Sequence, residues 1–109
     1  MQISARTSND IHIVAITGSL DSTTSPDAQK SLDAVLAAAK KVALDFSELD
    51  YISSAGLRIL LGAAKRLRAS GGSLGMFGLN QSVREVFEIS GFSSILSIYQ
   101  SEAEALGAM

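Results

Sequence analysis

The chain has 109 residues, the size of one domain with an ordinary hydrophobic core, and we expect a single domain over residues 1–109. Its formal net charge of −2 gives no strongly basic face of the kind that nucleic acid requires, so we expect no nucleic-acid partner. The absence of cysteine excludes disulfides and thiolate metal sites, and no cluster of other ligands suggests a metal or a cofactor.

Two strands and a helix are predicted in the first part of the chain. Residues 2–6 and 11–17 are β-rich runs separated by a turn-forming Ser-Asn-Asp cluster, which indicates an antiparallel hairpin. Ser25 then supplies a predicted N-cap, with Pro26 at the first helical position. Apolar residues at helical spacing continue this helix: Ala28, Leu32, Val35, Leu36 and Ala39.

A strand, a polar turn and a second helix follow. Residues 42–46 form an apolar run typical of a strand, and residues 47–50 are predicted to be a polar turn. Ser53 and Ser54 come next, and a helix of about four turns begins there. Its predicted apolar stripe consists of Leu57, Leu60, Leu61, Ala64 and Leu67.

The remaining segments alternate between strand and helix. Residues 73–77 and 95–99 are predicted strands, and a short helix between them begins after Asn80 and ends at Gly91. A capping-box pattern starts a closing helix over residues 102–106. The order ββαβαβαβα predicts an α/β fold with a mixed, mainly parallel sheet, an N-terminal hairpin and about four helices.

Neither end of the chain nor its interior is typical of a membrane protein. The first residues lack the basic start and long apolar segment of a secretion signal. No apolar run approaches the length needed to cross a bilayer. We therefore expect a soluble, cytoplasmic protein without direct membrane insertion.

Ser53 and Ser54 lie where a predicted strand gives way to a helix. Serine is a favoured N-cap, because its oxygen accepts a hydrogen bond from an otherwise unpaired backbone N–H. The positive end of the helix dipole also stabilises an added anion. Judged by residue type alone, the serines have a structural role, with one of them capping the helix. The alternative is that one of the two hydroxyls carries a phosphoryl group.

Five segments of the chain resemble one known family: GSLD at residues 18–21, LDF at 44–46, YISSAGL at 51–57, GG at 71–72 and SGF at 90–92. Together they are similar to the STAS domain, and more closely to the stand-alone bacterial anti-sigma factor antagonists. The similarity covers nearly the whole chain. The Ser-Ser-Ala-Gly-Leu segment is its most specific part, because it occurs at the expected strand-to-helix junction.

This resemblance implies a phosphorylation-controlled partner switch. In the family, the unphosphorylated antagonist binds an anti-sigma factor that is also a serine kinase, which frees a sigma factor. Phosphorylation by that kinase breaks the complex, and a serine phosphatase restores it. The family's acceptor is the serine two residues before the glycine, here Ser54. Many relatives have an acidic residue where this chain has Ser53, and some have a hydroxyl where it has Ala55, so Ser53 is a rival acceptor.

The resemblance also implies a partner-binding surface, formed by Asp21, Thr24, Ser53, Ser54, Ala55, Gly56 and Arg58. Asp21 and Thr24 match family positions near the acceptor, although a turn carboxylate and a helix-start hydroxyl explain them equally well. Asp45 has the same ambiguity. Four cationic side chains follow the acceptor along the helix, and a solvated face is their simplest interpretation: Arg58, Lys65, Arg66 and Arg68.

Two other classes of function are open from the sequence. A serine-dependent enzyme needs a base beside its nucleophile, but the single histidine, His12, lies in a predicted strand near the amino terminus. The chain also lacks a P-loop, and its one G-x-S-x-G pattern, Gly71 to Gly75, lies where a helix gives way to a predicted strand and not at the strand-to-helix elbow that a hydrolase needs, so we do not expect an enzyme. A non-switching STAS adaptor in a signalling scaffold or a transporter complex has the same sequence features, and it stays the main alternative.

Overall fold

Strands and helices alternate along most of the chain. The computed structural model describes residues 1–91 and 96–109. The strands are β1 Gln2–Ser8, β2 Ile11–Leu20, β3 Lys41–Asp45, β4 Leu49–Ile52, β5 Ser73–Phe77 and β6 Ser97–Tyr99. The helices are α1 Ser25–Leu36, α2 Ser54–Ala69, α3 Gln81–Ser90 and α4 Glu102–Ala108.

The second strand, β2, is the one around which the sheet is organised. It pairs antiparallel with β1 and parallel with β3, and parallel pairing continues to β5 and β6, in the order β1-β2-β3-β5-β6. The short β4 pairs in parallel with the last residues of β2, Gly18 to Leu20. The predicted mixed, mainly parallel sheet with an N-terminal hairpin is therefore confirmed.

The hairpin turn is made by Asn9 and Asp10. Their φ angles are +52° and +67°. Two central residues with positive φ match the right-handed twist of the flanking strands, and Asn and Asp tolerate this conformation better than most residues. Because the turn is only two residues long, Ser8 pairs directly with Ile11, and β1 extends beyond its predicted end at residue 6.

Hydrophobic clusters lie on both faces of the sheet. On the larger face, α1, α2 and α3 pack against β2 residues such as Val14 and Ile16. On the opposite face, Ile11 and Ile13 pack with Ala105 of α4. The predicted stripes of the first two helices are buried except for the half-buried Val35 and Leu61, but Ala39 lies beyond the end of α1 at Leu36, so the first helix is shorter than predicted.

One predicted turn is instead a strand. The sequence predicts a polar turn over residues 47–50, whereas β4 begins at Leu49. Only Leu49 and Ile52 are buried in this strand, and the two residues between them are exposed. The alternation that marks a half-buried strand is therefore absent. Pairing with β2, which is distant in sequence, makes this segment a strand.

The start of α1 also differs from the prediction. Ser25 is predicted to be the N-cap, but the N-cap is Thr24, and Ser25 is the buried first residue of the helix. The prediction was wrong because the first helical turn starts one residue earlier: the Ala28 amide donates to the Thr24 carbonyl at 3.0 Å. The Asp21 carboxylate accepts from the amides of Thr23 and Thr24 and so shapes the turn that precedes the helix.

The later elements agree with the sequence apart from their ends. The predicted strand over residues 42–46 is shifted by one residue to β3, and the closing helix α4 continues past residue 106 to Ala108. The Ser101 side chain accepts a hydrogen bond from the Glu104 amide at 3.1 Å, as the capping pattern predicts. Phe92, in the matched SGF segment, and Ile95, the first residue of the last predicted strand, lie outside the described residues.

Two glycines, one inside α2 and one just after its end, differ in backbone conformation and give opposite predictions for substitution by alanine. Gly62 is exposed in mid-helix, and an added Cβ would meet nothing within 4 Å. Gly62→Ala should raise the free energy of unfolding by about 0.5–1 kcal/mol, because alanine loses less conformational entropy on folding. Gly71 is equally open but has a φ of +84°. Gly71→Ala should lower the free energy of unfolding by about 1 kcal/mol. Urea denaturation measures both changes, and the same sign for the two variants would contradict these assignments.

Candidate functional site

The two serines lie where the end of β2 meets the start of α2. We call residues 53–56 the serine turn. The amide of Ser53 donates a hydrogen bond to the carbonyl oxygen of Leu20 at 2.9 Å. Because β4 also pairs with the end of β2, both the strand before the serines and the first serine itself are attached to the same strand end.

Gly56 allows α2 to approach β2 closely. A Cβ at this position would lie 2.8 Å from the carbonyl oxygen of Leu20 and 2.8 Å from a side-chain carbon of Ile52. Distances this short are not tolerated between nonbonded heavy atoms, and one of the neighbours is backbone. Glycine is therefore required by packing, and it sets the position of the whole first turn of α2.

The two serines have different environments. Ser53 is half-buried and is the N-cap of α2, and its hydroxyl oxygen accepts from the Gly56 amide at 3.4 Å. Ser54 is the exposed first residue of the helix, and its hydroxyl makes no hydrogen bond within residues 1–91 and 96–109. Ala55 follows it and is half-buried. The structure thus separates a capping serine from one with a free hydroxyl.

Asp21 and Thr24 close the loop between β2 and α1. The Asp21 carboxylate accepts from the amides of Thr23 and Thr24 at 2.9 and 3.1 Å. The Thr24 hydroxyl accepts from the Asp21 amide and donates to the Ser19 carbonyl, at 3.0 and 2.8 Å. Neither side chain forms a hydrogen bond to either serine among these contacts. Asp21 follows Leu20 directly, and this places the loop next to the serine turn.

Two further polar side chains fix the turns at this end of the sheet. Asp45 accepts from the Ser47 amide at 3.0 Å and so closes the turn between β3 and β4. Asn80 accepts from the Val83 amide at 2.8 Å, as its predicted capping role requires. Its side-chain nitrogen also donates to the Leu49 carbonyl at 2.9 Å, which attaches α3 to β4. This second contact spans distant segments and has no local sequence signal.

Tyr51 is a surface residue that the sequence did not identify as part of the site. It precedes the serine turn in β4, and 53% of its area is exposed. Tyrosine is enriched in protein interfaces, because its ring supplies apolar contact area and its hydroxyl a hydrogen-bonding group. Its signal was hidden because β4 was not predicted to be a strand, so its outward orientation could not be anticipated.

The cations of α2 do not all have the same environment. Arg66 pairs with Asp33 of α1 at 2.8 Å, and both side chains are about half exposed. Arg58 is exposed and lines one end of a groove of about 420 Å³ between α1 and α2. Lys65 and Arg68 are also exposed. Within the described part of the chain, Arg58 has no ion pair and no side-chain hydrogen bond, so its guanidinium is available.

The one histidine of the chain lies far from the serine turn. His12 is half-buried in β2 and is paired with Thr7 and Val42. It precedes Leu20 by eight residues of the same strand, a distance of about 25 Å at ordinary strand rise. Among the described residues, no three His, Asp or Glu side chains lie close enough to share a metal ion. No helix in that same part of the chain is long and apolar enough to span a membrane.

The packing of Gly56 gives a prediction about the geometry of the site. Gly56→Ala should lower the free energy of unfolding by about 1–3 kcal/mol, because the added methyl group overlaps a backbone carbonyl that cannot move freely. Gly62→Ala is the matched control, since it adds the same methyl group to the same helix where nothing lies within 4 Å, and it should not lower the free energy of unfolding. Urea denaturation with a two-dimensional NMR spectrum locates the effect. An unchanged midpoint, with unshifted amides at residues 20 and 53, would contradict the close contact.

Comparison with known proteins places this geometry in a family. A STAS domain profile matches residues 2–105. BtrV of Bordetella bronchiseptica, which bears the name anti-sigma factor antagonist, is 52% identical over 69 residues, or 63% of this chain and 60% of that protein. The anti-sigma-B factor antagonist of Listeria monocytogenes is 33% identical over 109 residues, covering 98% of this chain and 94% of that protein.

Solved structures share the fold. A protein from Thermotoga maritima described as an anti-sigma factor antagonist has a TM-score of 0.91 at 22% identity, covering 97% of this chain and 92% of that one. The anti-sigma factor antagonist SpoIIAA in its unphosphorylated form has a TM-score of 0.75 at 17% identity, covering 98% of this chain and 96% of that one. Phosphorylated Bacillus SpoIIAA has a TM-score of 0.74 at 19% identity, covering 98% of both chains. The predicted fold is confirmed.

Proposed function

Because the chain belongs to the STAS domain family, as its motifs predict, we propose that it is an anti-sigma factor antagonist that switches partners. Unphosphorylated, it binds an anti-sigma factor with serine kinase activity, and a sigma factor is freed. Phosphorylation of Ser54 releases it, and a serine phosphatase returns it to the binding form. The similarity to the Listeria antagonist along almost the whole chain supports this function. Since transcription is the target, the switch operates in the cytoplasm.

The exposed, unbonded hydroxyl of Ser54 is the observation that carries the choice of acceptor. Ser53 is half-buried, and its oxygen is engaged with the Gly56 amide. A kinase that modified Ser53 would have to break the helix cap, whereas Ser54 needs no rearrangement of its side-chain contacts. The first turn of α2 contains no acidic residue that would repel a phosphate. The helix N-terminus supports a phosphate there, because its free N–H groups and its dipole favour negative charge.

Charge alone gives a mechanism for release. Phosphoserine carries about −1.5 to −2 charges near neutral pH, which roughly doubles the net charge of −2 and concentrates the addition at one point. An acidic partner surface facing Ser54 would then be repelled by the phosphate. An apolar surface would bind less tightly, because the phosphate would lose its hydration in the complex. The fold itself need not change. That phosphorylated and unphosphorylated SpoIIAA both resemble this chain supports such a mechanism.

A regulatory role, rather than an enzymatic one, fits the surroundings of the serines. The relatives are named for antagonism of a regulatory protein, not for a reaction. A nucleophilic serine requires a base within hydrogen-bonding distance. The one histidine of the chain, His12, lies about 25 Å along β2 from Leu20, the residue to which Ser53 is hydrogen-bonded. Ser54 is therefore proposed as the recipient of a phosphoryl group and not as a nucleophile that acts on a substrate.

Phosphorylation of the purified protein by its candidate kinase tests the acceptor. With ATP present, mass spectrometry should locate one phosphate at Ser54, and Ser54→Ala should abolish it. Ser53→Ala should still be labelled, although loss of the cap lowers its free energy of unfolding by about 0.5–1 kcal/mol. Undiminished labelling of Ser54→Ala would refute the assignment. No labelling by any cognate kinase, with tight binding to a transporter subunit, would support the adaptor function instead.

Binding to the anti-sigma factor tests the switch. The affinity of the phosphorylated protein should be at least about tenfold weaker than that of the unphosphorylated protein, since like charges or lost solvation at an interface cost 1.4 kcal/mol or more. Ser54→Ala, treated with the same kinase and ATP, is the matched control and should keep its affinity. Isothermal titration calorimetry measures both. Equal affinities for the two phosphorylation states would show that Ser54 does not control the complex.

A further inference from the structure

Arg58 is an available cation close to the proposed acceptor. It is exposed in α2, four residues after Ser54. It makes no ion pair with a residue of the described ranges, whereas Arg66, two turns further along, is paired with Asp33. A long cationic side chain is thus held by the helix near the phosphate position without an assigned contact.

Helix geometry directs Arg58 toward Ser54. Residues four apart on a helix are surface neighbours, with Cβ atoms roughly 5–6 Å apart. Side chains on a helix also lean toward its N-terminus, so a residue covers the turn that precedes it. For Arg58, that preceding turn is the first of α2, and it begins at Ser54.

The charges around Arg58 leave it free to bind an anion at this position. Asp33 lines the same groove, but one of its carboxylate oxygens already accepts from Arg66 at 2.8 Å. The first turn of α2 has no acidic side chain that would compete. A guanidinium can donate two parallel N–H bonds to two phosphate oxygens, an arrangement that a point charge such as lysine does not reproduce.

We propose that Arg58 binds the phosphate of phosphorylated Ser54 within the same chain. The proposal rests on the proposed function in taking Ser54 as the modified residue. Two guanidinium N–H groups donate to two phosphate oxygens, and no covalent bond changes. Phosphorylation then alters the surface twice: it adds negative charge at Ser54, and it removes Arg58 from the cations that a partner can contact. A partner with an acidic group opposite Arg58 loses that contact as it meets the new charge.

The titration of the phosphate tests this directly. Phosphoserine can be incorporated at position 54 during translation, which makes the measurement independent of any kinase. Phosphorus NMR then follows the second ionisation of the phosphate, which lies near pH 6 in the absence of interactions. Because Arg58 favours the dianion, Arg58→Gln should raise this pKa by about half a unit relative to the unsubstituted phosphoprotein.

Arg68→Gln is the matched control. It removes an exposed arginine from the same helix, but its Cα lies about 21 Å from that of Ser54 at the rise of an α-helix. The phosphate pKa should not change in this variant. Both variants should unfold like the parent when unphosphorylated, which verifies that they are folded. An identical phosphate pKa in the parent and in Arg58→Gln would overturn the proposal.

The two proposals fail separately. If kinases do not label Ser54 but the Arg58-dependent pKa is observed, the ion pair stands and the proposed regulation of this chain is wrong. If Ser54 is labelled and controls binding while the phosphate pKa is insensitive to Arg58, the switch stands and the ion pair is refuted.

Discussion

The hydrogen bond from the Ser53 amide to the Leu20 carbonyl is the contact on which the site depends. It joins the end of β2 to the start of α2, and Gly56 packs so closely against the same carbonyl oxygen that an added Cβ would lie 2.8 Å from it. The Leu20 carbonyl therefore determines where the serine turn lies and how closely α2 approaches β2. Because the contact involves backbone atoms, many side chains can vary around it, but Gly56 cannot.

The path of β2 explains why this contact is possible. The strand pairs with β3 along its first half and with β4 along its last residues, with a change of register after Gly18. Gly18 has a φ of +84°, which a residue with a side chain rarely adopts, and its amide donates to Glu48 in the turn before β4. Gly18 thus allows β2 to pair with both β3 and β4. This pairing brings the loop after β2 and the serine turn to the same edge of the sheet.

Local sequence predicted most elements of the fold, because their signals are local. Asn80 and Ser101 cap helices, as their sequence context predicts, and the positive φ of Gly91 ends α3. The strand β4 was missed because it exists only through pairing with β2. The second role of Asn80 was missed for the same reason, since its contact with Leu49 crosses from one segment to another.

The position of the candidate site could be predicted from the sequence, but the separate roles of its residues could not. The motif placed Ser53 and Ser54 at a helix start without saying which one caps it, and that depends on where the helix begins. Asp21 was predicted to belong to the partner-binding surface, and that role stays a prediction. In the structure its carboxylate bonds the amides of its own loop. Which cation of α2 forms an ion pair could not be predicted either, because the partner of Arg66 is Asp33 of another helix.

The helical backbone of Ser54 also bears on what a modifying enzyme can recognise. Ser54 is the first residue of α2, and Ser53 before it caps the helix and is hydrogen-bonded to the end of β2, so the proposed acceptor is held in a helical conformation. An enzyme that acts here has to accept a preformed turn and the surface around it. Such an enzyme recognises the folded surface around Ser54, and a short peptide with the same sequence is not an equivalent substrate.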